Sequence, residues 1–245
     1  MTVQDLAVFD FDWSLIEADS DATVCKHFCP NKWASLPPSA QRMQWTDLID
    51  QTLCEIQDGG SSIDDIEKVL QRVPMVPSAL ELLESLRASN TRVLILSDAN
   101  TFFIDVILRA HGVRDLVSDI ITNPAYTDDQ GRLRINRRIL STEAPHNCPN
   151  TCTVNICKGQ ELDRYIATHG PFRRIMYVGD GMNDYCPGLR LKHTDLYFVR
   201  NGKQLARALT TKPEVAGRLL VQVTYWKDHA VIVETVAKPA AVPSL

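Results

Sequence analysis

The 245-residue chain has no run of 18 apolar residues, so nothing in it reads as a transmembrane helix. Its opening stretch, MTVQDLAVFDFD, has no basic region ahead of an apolar one and reaches acidic residues early, which argues against a secretory signal. The closing VPSL carries no targeting signal. A basic stripe is also missing. The 26 lysines and arginines are outnumbered by 30 acidic residues, for a net charge of −4, which makes nucleic acid a poor partner. There is no internal repeat and no low-complexity tract. Seven cysteines, an odd count, do not make a closed disulfide framework. From these absences a soluble, cytoplasmic protein with mostly free thiols is expected, with no membrane and no nucleic acid among its partners.

What is present alternates. Apolar runs at Leu6–Phe11, Val93–Leu96, Ile120–Thr122, Ile175–Val178 and Leu196–Val199 read as strands. Phe102–Ala110 and Lys158–Thr168 carry apolar residues at helical spacing and stop at Gly112 and Gly170. Strands alternating with helices predict a parallel sheet covered on both faces. About 80 residues separate the first two strands, far more than one crossover needs. That segment holds amphipathic patterns at Ala40–Ile56 and Ile63–Val73, split by Asp58-Gly59-Gly60. The fold class predicted is α/β: a Rossmann-like doubly wound parallel sheet with a small helical cap inserted after the first strand. Residues 1–16 and 89–245 would form the core and 17–88 the cap. A β-hairpin is expected over Ala125–Ile135, and a loose tail over 237–245.

Chemistry-bearing residues cluster at strand ends. Asp10-Phe11-Asp12-Trp13-Ser14 closes the first strand, and alternation points Asp10 and Asp12 the same way. Two carboxylates so placed repel, so a cation or a chemical task must account for them. Ser97-Asp98-Ala99-Asn100 ends the second strand, Lys158 opens a helix, and Gly179-Asp180-Gly181-Met182-Asn183-Asp184 ends another strand. A doubly wound sheet gathers these on one rim. Several carboxylates there suit Mg²⁺, and a lysine with small donors beside it suits a phosphoryl group. An aspartate can serve as a covalent nucleophile.

In order and spacing these four clusters resemble the haloacid dehalogenase-like phosphatases: Asp10-x-Asp12-x-Ser14, Ser97, Lys158, and Gly179-Asp180-Gly181-x-Asn183-Asp184. The second aspartate sets the chain apart from the dehalogenase branch. Asp19-Ser20-Asp21, Ser97 to Phe103 and the run HNCPNTCTVNICKG at 146–159 are similar to the small phosphatases of phosphoethanolamine and phosphocholine and their pyridoxal-phosphate and thiamine-phosphate relatives. Trp13 departs from the small or polar residue usual at its place. The resemblance implies a phosphomonoester hydrolase using Mg²⁺ on a small phosphorylated metabolite. It implies Asp10 as nucleophile and metal ligand, and Asp12 as general acid and base with its carbonyl on the metal. Ser97 would hold a phosphate oxygen and Lys158 would neutralise Asp10 and the phosphoryl group. Asp180 would be a metal ligand, and Asp184 would orient a neighbour of the metal. Asn100, Gly181 and Asn183 are expected near the substrate.

Asp98 beside a phosphate ligand, and Asp19 at the cap entrance, make sense if the substrate's other end is cationic. Phosphoethanolamine or phosphocholine is therefore the preferred substrate, with pyridoxal phosphate or a thiamine phosphate as alternative. A phosphate-binding relative without activity is the rival from another class, although such relatives usually lose Asp10, Asp12 or Asp180. His146, Cys148, Cys152 and Cys157 are a zinc-ligand candidate, but their spacing lacks the usual paired arrangement and a tight loop fits equally well. Cys25 and Cys29 are expected as half-buried thiols, and Trp33 and Trp45 as cap core.

Overall fold

The computed structural model describes residues 3–36, 43–150 and 152–237. Six strands form one parallel sheet: β1 (Leu6–Phe9), β2 (Arg92–Asn100), β3 (Asp119–Asn123), β6 (Ile175–Gly179), β7 (Leu196–Arg200) and β8 (Val223–Trp226), in the order β3-β2-β1-β6-β7-β8. A separate antiparallel hairpin pairs β4 (Ala125–Thr127) with β5 (Leu133–Ile135), as expected. The central strands are buried on both faces, which is why they read as unbroken apolar runs. Alternation divides them between two cores. Ala7, Phe9, Val93, Ile95, Val178 and Phe198 pack on one side; Leu6, Val8, Leu94, Leu96, Tyr177 and Val199 pack on the other. Helices α5 (Pro77–Ala88), α6 (Thr101–Ala110) and α11 (Ala230–Ala237) contribute to the first core, and α7 (Lys158–His169) and α9 (Gln204–Thr211) to the second. The fold is thus α/β and doubly wound. The chain leaves β1 toward β2 on one side and returns at β6 on the other, so the switch point lies between β1 and β6.

β8 has no counterpart in the sequence reading. Its residues, Val-Thr-Tyr-Trp, favour a strand, but it is only four residues long and three of its side chains keep contact with solvent. The tail expected over 237–245 lies, beyond Ala237, outside the described residues, as does the start of the Ala40–Ile56 pattern. No helix among the described residues is long and apolar enough to cross a membrane.

Between β1 and β2 run α1 (Ser20–Phe28), α2 (Pro30–Ala34), α3 (Trp45–Asp58), α4 (Ile63–Leu70) and then α5. Val24, Ile49, Leu53, Ile56, Ile66 and Leu70 bury the apolar stripes of α1, α3 and α4 against one another. Ser62 and Asp65 form a capping box at the start of α4. α5 packs instead on β2 and α11.

The hairpin is fastened to α3 rather than to the sheet. Asp47, Asp50, Gln57 and Asp58 present polar groups of α3 to it. Asp47 pairs with Arg137, and Asp58 with Arg132. Asp50 accepts from Arg134 at 2.9 and 2.6 Å and from the Ile135 backbone N–H at 2.8 Å. Gln57 accepts from the Leu133 N–H at 2.7 Å and donates to the Leu133 carbonyl at 3.0 Å. Helix side chains thereby occupy the backbone groups that the edge of β5 would otherwise leave open.

Asp50→Ala removes three of these bonds at once. It should lower stability by about 1–3 kcal/mol, because a half-buried backbone donor is left without its acceptor. The thermal midpoint should fall by about 2–4 °C per kcal/mol at this size, and the Ile135 amide should exchange faster. An unchanged midpoint together with unchanged Ile135 protection would show that the clamp is dispensable.

Candidate active site

β1 delivers Asp10 to the switch point and the chain then turns at once. The N–H groups of Ser14, Leu15 and Ile16 all point at the Phe11 carbonyl, with Phe11, Leu15 and Ile16 buried beneath. Trp13 takes the left-handed region at φ 57°, which a bulky residue adopts only when held there. Arg200 donates to its carbonyl at 2.6 Å, and Lys203 Nζ lies 3.6 Å from its ring centre. Asp12 accepts from the Ser20 N–H at 2.9 Å and its hydroxyl at 3.1 Å. Asp19 caps α1 by accepting from the Ala22 N–H.

Lys158, the first residue of α7, lies wholly buried between two carboxylates, 2.8 Å from Asp10 Oδ1 and 2.8 Å from Asp184 Oδ1. Asp184 is saturated. Its Oδ1 also accepts from the Tyr177 hydroxyl, and its Oδ2 from the N–H groups of Asp180 and Gly181. No lone pair of Asp184 remains for another ligand. The turn depends on Gly179, where a Cβ would lie 2.4 Å from Asp184 Cγ. On Asp10, both Lys158 and the Phe11 N–H fall on Oδ1. Its Oδ2 receives no hydrogen bond among the described residues.

Asp10, Asp12, Asp19, Ser97, Asp98, Asp180, Gly181 and Asn183 line one cleft of about 370 Å³, with Lys158 and Asp184 just beneath. Asn183 donates to Asp98 at 2.9 Å. Asn100, expected near the substrate, is instead buried as the cap of α6, accepting from the Phe103 N–H, and does not line the cleft. The sequence reading gave no site role to five residues that line it: Asp21, Trp45, Ala99, Lys203 and Gln204. Trp45 is not cap core. It is 42% exposed, lines the cleft, donates to Asp21 at 2.7 Å and meets Trp33 edge-on. Cys25 is fully buried and Cys29 half-buried. A larger cleft, about 570 Å³, opens between α6 and the hairpin, but it gathers no comparable set of catalytic groups.

The cleft holds more negative charge than its cations balance. Burial pushes the Asp10 carboxyl well above its ordinary value, with Lys158 pulling against it. Burial, then Asp19 and Asp21, do the same to Asp12. Asp180 is pushed up to about 6 and Asp21 to about 7, again chiefly by burial. Burial also lowers Lys158, but Asp10, Asp184 and Asp98 outweigh it and leave the ammonium firmly charged. Carboxylate oxygens of Asp10, Asp180 and Asp184 lie within 4.8 Å of one another, and with Asp184 saturated those of Asp10 and Asp180 are the ones left for a cation. Hard, clustered, under-compensated oxygens fit a small divalent cation such as Mg²⁺.

The Putative Phosphatase family model matches residues 5–238. The chain belongs to that family. Among its relatives are a thiamine phosphate phosphatase-like protein of Arabidopsis thaliana, 36% identical over 84% of both chains, and inorganic pyrophosphatase 2 of the same plant, 34% identical over 90% of this chain and 78% of the other. Pyridoxal phosphate phosphatase PHOSPHO2 of Rattus norvegicus is 31% identical over 93% of this chain and 95% of its own. A substrate-bound phosphoserine phosphatase structure superposes with a TM-score of 0.61 at 12% identity, covering 96% of this chain and 99% of the other. The resemblance to haloacid dehalogenase-like phosphatases is thus borne out, and the chain is a phosphatase with their fold.

Gly179→Ala tests how tightly this phosphatase packs its site. The added methyl must displace Asp184 from its donors, at a cost of about 1–3 kcal/mol in stability, and activity should fall with it. A variant as stable and active as the parent would mean that Asp184 is free to move.

Proposed function

We propose that the protein hydrolyses a small phosphomonoester with a cationic head group, using Mg²⁺ and passing through an acyl phosphate on Asp10. The observation that carries this reading is Asp10 itself: one oxygen is held by Lys158 and Phe11 N–H while the other receives no hydrogen bond, inside an acid-rich cleft.

Asp10 Oδ2 attacks phosphorus, and the ester oxygen leaves. Asp12, whose proton burial favours, donates it to that oxygen. Water then attacks the aspartyl phosphate, with Asp12 taking its proton and Asp10 leaving. Ser97 and Lys158 hold phosphoryl oxygens. Asp10, Asp180 and the Asp12 carbonyl are the ligands that would hold Mg²⁺, which supplies positive charge to the phosphoryl group. Asp184 positions Lys158 and the Asp180 turn. The Ser20–Leu70 helices serve as a cap. The packing of α5 on the sheet supports a cap that ends before α5, rather than at residue 88.

Asp19, Asp21 and Asp98 add charge that phosphate would not welcome, and the rings of Trp13 and Trp45 stand at the same cleft. Acids with aromatic faces suit an ammonium, so phosphoethanolamine or phosphocholine remains the preferred substrate. The names of the relatives favour a second reading, pyridoxal phosphate or a thiamine phosphate, whose flat rings the tryptophans could stack.

Three outcomes are expected. Asp10→Asn should keep the fold at reduced stability, with Lys158 left paired to Asp184, and lose several orders of magnitude in kcat, since an amide forms no acyl phosphate. EDTA should silence the parent enzyme and Mg²⁺ should restore it. Turnover by Asp10→Asn near the parent level, or full activity in excess EDTA, would sink the mechanism. For substrate charge, Asp21→Asn should lower kcat/KM about ten- to a hundred-fold for phosphocholine, and leave glycerol phosphate nearly unchanged. Equal losses for both would make Asp21 structural, and a parent preference for pyridoxal phosphate would favour the second reading.

A further inference from the structure

Four cysteines unconnected with phosphate chemistry meet at the back of the rim. Cys148, Cys152 and Cys157 come from the loop before α7. Cys186 comes from the short helix α8 (Tyr185–Gly188). Their Sγ atoms lie 3.6 Å apart for 148–186, 3.7 Å for 148–152, 3.6 Å for 152–157 and 3.6 Å for 157–186. All four sulfurs are within 4.8 Å of one another. A disulfide would bring two sulfurs to about 2.05 Å, so none is formed. A tetrahedral ion with metal–sulfur bonds of about 2.3 Å sets sulfur–sulfur edges of about 3.8 Å. The observed edges are close to that figure.

We propose that Cys148, Cys152, Cys157 and Cys186 form a tetrathiolate site for one structural zinc ion. The surroundings are built for it. Asn150 Nδ2 points at Cys186 Sγ at 3.4 Å and Cys148 Sγ at 3.6 Å, and Arg218 fixes the Asn150 amide at 3.0 Å. Arg190 donates to the Cys186 carbonyl at 3.4 Å. Two arginines thus offset the negative charge of four thiolates, as partners outside a metal's ligand shell commonly do. Gly159 makes room, since a Cβ there would lie 2.6 Å from Cys186 Sγ. His146 is not a ligand. One ring nitrogen faces the Thr153 carbonyl at 2.6 Å and the other accepts from the Cys148 N–H at 3.1 Å. The loop supplies three of the four sulfurs, and the fourth comes from α8.

The site's place in the fold gives it a task. Cys157 directly precedes Lys158, and Cys186 follows Asp184 by two residues. Zinc therefore ties together the two segments whose side chains form the buried 2.8 Å Lys158–Asp184 pair. It would act as a staple for the rim and take no part in the reaction.

The test is metal content and ligation of the full chain, expressed in zinc-supplemented medium and purified with a thiol-free reductant. The parent should carry about one zinc per chain, with X-ray absorption giving four sulfurs at about 2.3 Å. His146→Ala should keep the zinc, and Cys186→Ser should lose it or exchange one sulfur for oxygen. If Cys186→Ser fails to fold, the absorption spectrum of the parent still decides. A parent with less than about a tenth of an equivalent of zinc, with iron in its place, with nitrogen or oxygen ligands, or with the thiols paired as disulfides would overturn the assignment.

Discussion

A single buried cation organises this protein. Lys158 lies between Asp10 and Asp184 with no exposure to water, and a buried charge is tolerated only when it is closely paired. The pairing fixes three segments at once: the end of β1, the start of α7 and the turn after β6. Asn183, in that turn, donates to Asp98 and brings in the end of β2. Three strand ends and one helix start, distant in sequence, are thereby held at one switch point. The one cation does not neutralise the cleft, where the carboxyls of Asp10, Asp12, Asp21, Asp98 and Asp180 are all pushed upward by burial. On that surplus rest both the proposed metal and the proposed cationic head group of the substrate.

The wall opposite is held by a second, uncharged hub. Asn123, at the end of β3, donates to the carbonyls of Asp98 and Ala99 at 2.6 and 2.9 Å and accepts from Asn155 at 2.7 Å. Asn155, in the loop leading to Lys158, also donates to Thr46 at 2.9 Å. Thr46 is the neighbour of Trp45, which lines the cleft. The network therefore fixes the distance between the Asp98 side of the cleft and its Trp45 side. The hairpin adds support from outside by clamping α3 through the pairs of Asp47, Asp50 and Asp58 with arginines. Polar bonds of this kind are directional, so they specify where α3 sits more sharply than apolar packing alone.

Much of this was legible in the chain. Parallel strands buried on both faces leave unbroken apolar runs, and the acids that interrupt them at Asp10 and Asp180 mark the rim. Spacing alone could not give what depends on distant partners. Asp21 looks like a solvated helix acid until Trp45, 24 residues on, donates to it. Asn100 looks like a substrate ligand until α6 begins directly behind it and claims its side chain as a cap. Cys186 stands 29 residues from Cys157, and only the return of the chain past β6 unites them. β8 is an edge strand of four residues, too short to display a period, although Val, Thr, Tyr and Trp all favour a strand.

If Lys158 is the constraint on which the rim depends, its bond to Asp184 must carry coupling energy. A double-mutant cycle with Lys158→Met and Asp184→Asn, read by urea unfolding, measures it directly. Each single change should cost about 3–5 kcal/mol, since it strands a buried partner. The double variant should lose far less than the sum, with a coupling of about 2 kcal/mol or more. Single losses that add to within about 0.5 kcal/mol would contradict the account.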